Sequence, residues 1–167
     1  MSRSVTIENL LIAETKRRLF EEGIPRIKKC LAQLSEIDIW YHPNDNSNSV
    51  GNLVLHLCGN LRQWIITGLG HQQDTRMRDT EFKEKGPVSA SILIDMLDKL
   101  ILDVDAVLNN MTAEDFTKKH KVQVYQETGV SILMHVVEHF SYHVGQITYF
   151  TKWKKDIDTQ YYSEDLG

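Results

Sequence analysis

Apolar residues recur at three- and four-residue intervals over four long stretches of this chain, the period of helices that bury one face. The first stretch runs from about Thr6 to Ile37. Leu10, Ala13, Phe20, Ile24, Ile27, Leu31 and Leu34 mark its stripe, with Arg17 as the one break. Gly23 and Pro25 lie inside it. Proline has no amide proton to donate and crowds the preceding turn, so a kink or break is expected there. The turn-rich run HPNDNSNS, His42 to Ser49, precedes a second helix over about Val50 to Leu69. Ser49 is its expected cap and Gly70 its expected stop. His71 to Pro87 is polar and loop-like. A third helix, from about Ser89 to Asn109, buries Leu93, Met96, Leu97, Leu100, Val104 and Val107. Between Met111 and Gly129, Val122 and Val124 alternate with Gln123 and Tyr125. That alternation reads as a short extended segment and not as a sheet. The fourth helix covers about Val130 to Lys152. From about residue 153, with Asp156, Asp158, Glu164 and Asp165, the chain reads as a polar tail. Four long helices without a sheet predict an all-α four-helix bundle.

Composition narrows the class. The 167 residues fit one domain, 1–167, and 41% hydrophobic with 25% charged residues is a globular mixture. The net charge is −4, and basic runs are short: Lys16-Arg17-Arg18 and Lys118 to Lys121. That disfavours a nucleic-acid partner. No stretch approaches the ~18 uninterrupted apolar residues of a membrane span. The first twenty residues are broken by Glu8, Glu14 and the basic run, so they do not form a signal peptide. No membrane partner and a cytoplasmic location are therefore expected. Cys30 and Cys58 do not make a disulfide framework and read as packed core thiols.

Candidate chemistry lies in the histidines. Three fall on the fourth helix at four-residue spacing, in HVVEHFSYH from His135 to His143. Each step of four rotates the side chain by about 40°, so His135 and His143 flank His139 symmetrically. All three line the margin of the apolar face, beside Ile132, Gln146 and Phe150. On the second helix His56 occupies the same kind of margin, bordered by Asn52, Asn60 and Gln63. Two imidazoles at i and i+4 and a third from a facing helix offer one divalent ion three nitrogen ligands. Such a set suits Zn, Ni, Fe or Cu better than Mg or Ca, and leaves a coordination position open for chemistry. The competing structural reading is a bundle whose histidines merely pack. Geometry leaves the choice among His135, His139 and His143 open. His42, His71 and His120 lie in loop-like sequence and read as surface residues. Glu138 points about 100° away from His139, towards a neighbouring helix. Trp64 reads as core, and Tyr142 either borders the pocket or faces solvent. No Asp or Glu on the histidine stripe is an obvious general base.

The run HVVEHFSYHVGQI, His135 to Ile147, resembles the last-helix motif of the DinB/YfiT-like superfamily of metalloenzymes. GNLVLHLCGNLRQW, Gly51 to Trp64, is similar to the second-helix motif of one bacterial branch of it. The resemblance covers nearly the whole chain, and the two motifs in this order are specific together. It implies an up-down-down-up bundle with a long connection between helices two and three, which Gly70 to Ser89 fits. It implies metal ligands at His56, His139 and His143. From their places on the helix stripe, His135 reads either as a residue that supports the site or as one that packs or caps, and Gln146, one turn beyond His143, as a hydrogen-bond partner of a ligand or substrate. The resemblance further implies a nickel, zinc or iron ion, a homodimer, and a small-molecule substrate. Some relatives are transferases or isomerases that use low-molecular-weight thiols; others have no established activity. The resulting expectation is a metal-dependent enzyme, a thiol transferase first. A hydrolase or a non-catalytic metal- or ligand-binding protein is the alternative.

Overall fold

Thr6 opens the first helix, its hydroxyl accepting a hydrogen bond from the Asn9 amide at 3.3 Å. The structure, a computed structural model, describes residues 6–162; Glu164 and Asp165 of the expected tail lie outside them. Helix α1 spans residues 7–33 in three continuous parts: α-helical Ile7–Lys16, π-helical Arg17–Gly23 and α-helical Ile24–Gln33. The disturbance expected at Gly23 and Pro25 thus takes the form of a π-helical stretch just ahead of the proline. That stretch shifts the buried face. After it, Ile24, Ile27, Leu31 and Leu34 are buried as their spacing predicts. Before it, Leu10 and Ala13 face solvent and Thr15 is buried instead; within it, Leu19 is buried. A period carried across backbone bonds that reach five residues loses register. The helix also stops sooner than Ile37. Ser35 caps a separate short helix, α2 (Glu36–Ile39), through a reciprocal box with Asp38.

Helix α3 covers residues 50–69, α-helical over Val50–Leu61 and π-helical over Arg62–Leu69. Ser49 caps it: its hydroxyl accepts from the Asn52 amide at 3.1 Å, and its own amide donates to Asn52 Oδ1 at 3.2 Å. Gly70 follows the last helical residue, and His71 takes the left-handed conformation that turns the chain away (φ 55°). The polar connection contains helix α4 (Arg78–Lys83). Helix α5 (Ala90–Asn110) buries Leu93, Leu97, Leu100, Val104 and Leu108, while Met96 and Val107 are only half-buried.

After helix α6 (Ala113–Thr117) the extended segment proves to be a hairpin. Strand β1 (Lys119–Val122) pairs antiparallel with β2 (Tyr125–Thr128), Lys119 opposite Thr128 and Val122 opposite Tyr125. Four alternating residues gave no sequence basis for a sheet. The pairing is anchored by tertiary contact: Val122 is buried on α3 where Gly68 has no side chain, and a Cβ there would stand 2.6 Å from Val122 Cγ2.

Helix α7 (Gly129–Lys155) continues to Lys155, with Lys152, Lys154 and Lys155 in a last turn that favours cations, and stops at Asp156 (φ 51°). The expected tail then returns to the bundle: the Tyr161 hydroxyl lies 3.1 Å from Cys30 Sγ and 2.7 Å from Thr148 Oγ1. The whole is an all-α bundle of α1, α3, α5 and α7, with α7 packed on α1 and α3, and α5 on α3 and α1. Leu57, Leu61, Ile65, Leu97, Ile132 and Phe140 are among its fully buried side chains. Each stabilises the fold by roughly 1.5–3 kcal/mol. Both cysteines are buried and unbridged. Among the described residues no helix is long and apolar enough to cross a membrane.

Candidate metal centre

Helices α3 and α7 pack with their histidine margins facing. His56 from α3 and His139 and His143 from α7 each present one ring nitrogen, and these three atoms lie within 4.8 Å of one another. His56 Nε2 is 2.9 Å from His139 Nε2. His56 and His143 are buried and His139 is half-buried. The outer nitrogens of His56 and His143 are engaged elsewhere. His143 Nδ1 bonds Gln146 Oε1 at 2.7 Å, an oxygen that only accepts, so Nδ1 carries the proton and Nε2 keeps its lone pair. His56 Nδ1 lies 3.0 Å from Glu81 Oε2 and 3.1 Å from a terminal nitrogen of Arg76; the carboxylate, the shorter contact, favours the proton on Nδ1 and a lone pair on Nε2.

Glu81 belongs to α4, in the connection the sequence marks only as polar. It is held tightly: Arg76 donates from Nε to Oε1 at 2.7 Å and from a terminal nitrogen to Oε2 at 2.8 Å. The Arg76 side chain is only 4% exposed and also donates to Gln63 Oε1 at 2.8 Å. Asn52, the capping partner of Ser49, donates to the Glu81 carbonyl at 2.9 Å and the Glu84 carbonyl at 2.8 Å. Gly59, three residues beyond His56, makes room: a Cβ there would stand 2.0 Å from Glu81 Oε1. The missing side chain at Gly59 was the one sequence signal of this clamp. Glu81 and Arg76 themselves sit outside any periodic pattern.

Burial disfavours charge on two of the three rings. Burial, then the nearby His143, His56 and His135, then Arg76, lower the His139 pKa to about 4. Burial likewise lowers His143, against the opposing bond from Gln146. Burial pushes the Glu81 carboxyl up, but Arg76 and His56 outweigh it and hold it below its ordinary range. Imidazoles whose outer nitrogens bond oxygen, as those of His56 and His143 do, suit a divalent ion. The residues present therefore fit a metal ion.

His135 stands beside the trio and not in it. Its ring is stacked between Trp64, at 3.8 Å between centroids, and His139, at 5.5 Å. Its Nε2 is buried without a partner among the described residues. Trp64 is buried, Glu138 is exposed, and Tyr142 is exposed with its ring edge-on to His143 at 5.0 Å. His42 and His71 are exposed, whereas His120, expected at the surface, is buried. The hairpin folds it inward, where Nε2 donates to the Asp115 carbonyl at 2.8 Å.

The model of a family of proteins of unknown function, DUF1572, matches residues 9–163. The chain belongs to this family. Its fold is that of DinB-like proteins. A conserved protein from Enterococcus faecalis superposes with a TM-score of 0.69 at 16% identity, over 89% of this chain and 97% of that one. A DinB-like protein of Bacillus subtilis, YjoA, gives 0.65 at 15% identity over 90% and 95%. Another from Bacillus cereus gives 0.64 at 19% over 81% and 87%. No curated protein matches the chain.

Proposed function

We propose that this protein is a metal-dependent enzyme acting on a small molecule, with His56, His139 and His143 as ligands of one nickel, zinc or iron ion. The observation that carries this reading is the trio itself: three imidazoles whose donor atoms converge within 4.8 Å. A bound ion supplies Lewis acidity towards a further ligand at neutral pH. The chain's residues hold and orient: Glu81 and Gln146 fix the tautomers of His56 and His143, and Trp64 stacks on His135 beside them. The carboxylate that reaches the trio, Glu81, is committed to Arg76 and His56, so it is poorly placed to take a proton from water. That favours transfer to a low-molecular-weight thiol over hydrolysis. A cytoplasmic homodimer belongs to the same proposal, with oligomeric state read by sedimentation.

Metal analysis tests the site first. Purified protein offered nickel or zinc takes up about one equivalent per chain on this reading, and His139→Ala abolishes uptake. Less than about a tenth of an equivalent, or unchanged uptake by the variant, refutes the site. Turnover in a screen of thiols against electrophiles then separates an enzyme from a metal-binding module.

A further inference from the structure

A cavity of about 440 Å3, within the size range of small-molecule pockets, is lined by Gln146, the residue that holds His143. One wall is aromatic: Tyr149, Phe150 and Trp153 of α7 all line it. Tyr149 is 75% and Trp153 59% exposed, so two large rings stand in water around an open space. The buried Val50 and Leu53, from the start of α3, add apolar surface. Its polar lining is uncharged: the amides of Asn46, Asn48 and Gln146, the hydroxyls of Ser47 and Tyr149, and the Trp153 indole N–H. Lys154 lies outside this lining, its Nζ 4.2 Å from the Tyr41 ring centre, 6.0 Å from that of Trp153 and 3.7 Å from Asp38.

The cavity is joined to the trio from both helices. Gln146 lines it while its Oε1 holds His143 Nδ1, and this leaves the two amide protons of Gln146 for an occupant. Leu53 stands three residues before His56 on α3. We propose that this cavity is the substrate subsite of the histidine centre and takes an uncharged, flat aromatic group with a hydrogen-bond acceptor that meets Gln146. The chemistry selects this occupant. Aromatic walls stack on planar groups, and no side chain lining the cavity carries a charge to pair with a charged occupant. An acceptor on the occupant satisfies the Gln146 amide, and displacement of that amide is felt at His143 through their shared bond.

The proposal rests on the metal reading above, and nickel uptake is measured before the probe is added. The probe is 4-nitrobenzyl alcohol, with 4-nitrobenzoate as its charged counterpart, titrated calorimetrically into the nickel-loaded and metal-free full chain. The alcohol binds both forms saturably, and the carboxylate binds at least about tenfold more weakly. Trp153→Ala and Tyr149→Ala remove exposed rings that the core does not need, and each weakens the alcohol by about tenfold. At saturation the visible absorption bands of bound nickel shift. No saturable binding, equal affinity for alcohol and carboxylate, or full retention in both variants overturns the proposal. So does an alcohol that fills the cavity and leaves the nickel bands unmoved. These failures are read on protein that has taken up nickel. A failure of the metal reading shows earlier, as absent uptake.

Discussion

His56 owes its orientation to a residue twenty-five positions further along the chain. A carboxylate accepts and cannot donate, so Glu81 pins the proton on His56 Nδ1 and directs the Nε2 lone pair towards His139 and His143. Arg76, buried with Glu81, supplies the countercharge without which a carboxylate in this position would protonate. Glu81→Gln keeps the shape but removes the charge and leaves Arg76 without its partner. Loss of such a supporting bond typically weakens metal affinity by about 10–100-fold, read by competition with a chromophoric chelator. Gly59→Ala reaches the same end from outside the ligand set, because its Cβ would sit 2.0 Å from Glu81 Oε1 and push the carboxylate away. If both variants held metal as tightly as the parent, Glu81 would be a bystander. None of this was visible in a linear reading. The i, i+4 spacing on α7 and the margin position of His56 were legible because helical periodicity places side chains on faces. His135 and His143 lie symmetrically about His139, however, so periodicity alone had no means of choosing between them. Arg76 and Glu81 come from a connection with no period to read.

At the scale of elements, each long helix was legible from its apolar stripe, and the largest errors lay where the backbone left the ideal 3.6-residue period. The π-helical stretch Arg17–Gly23 moved the buried face of α1 from Leu10 and Ala13 to Thr15 and Leu19. The hairpin escaped notice because its stability comes from Val122 packing over Gly68, a contact between residues far apart in sequence. Two glycines within helices separate close packing from helix propensity. Gly23 adjoins the Phe140 ring, and a Cβ would approach Cδ1 and Cε1 to 2.8 Å. Phe140 is 2% exposed and has little room to yield. Alanine there gains roughly 1 kcal/mol of helix propensity but meets overpacking of roughly 1–3 kcal/mol. Gly145, on the same helix as Phe140, has nothing within 4 Å of a built Cβ, so alanine there collects the propensity gain alone. Urea denaturation of the metal-free chain therefore shows Gly145→Ala stabilised and Gly23→Ala neutral to destabilised, the two differing by about 2 kcal/mol. Equal midpoints would mean that α1 shifts freely away from α7 at this crossing.

For the molecule as a whole, the centre makes stability depend on both protons and metal. The folded chain holds His139 at about 4, below its ordinary 6.5, chiefly because charging it would require a buried cation beside two other imidazoles. The unfolded chain has no such penalty and binds the proton at the ordinary value. Between pH 6.5 and about 4 the unfolded state is therefore the better proton acceptor. Stability is complete above that window and is lost as pH falls through it. His135 and His143, also lowered, act in the same direction. Asp38, held at about 2 by Lys155 and Ser35, loses its contribution only at lower pH. The melting temperature of metal-free protein thus declines steadily from pH 6.5 towards 4, and His139→Gln flattens part of that decline. Nickel at saturation binds only the folded trio and competes with the same protons, so it raises the melting temperature and displaces the decline to lower pH. A metal-free melting temperature that stayed level across this window would show that the imidazoles relax into water when charged. The packed trio that underlies the metal assignment would then not describe the protein in solution.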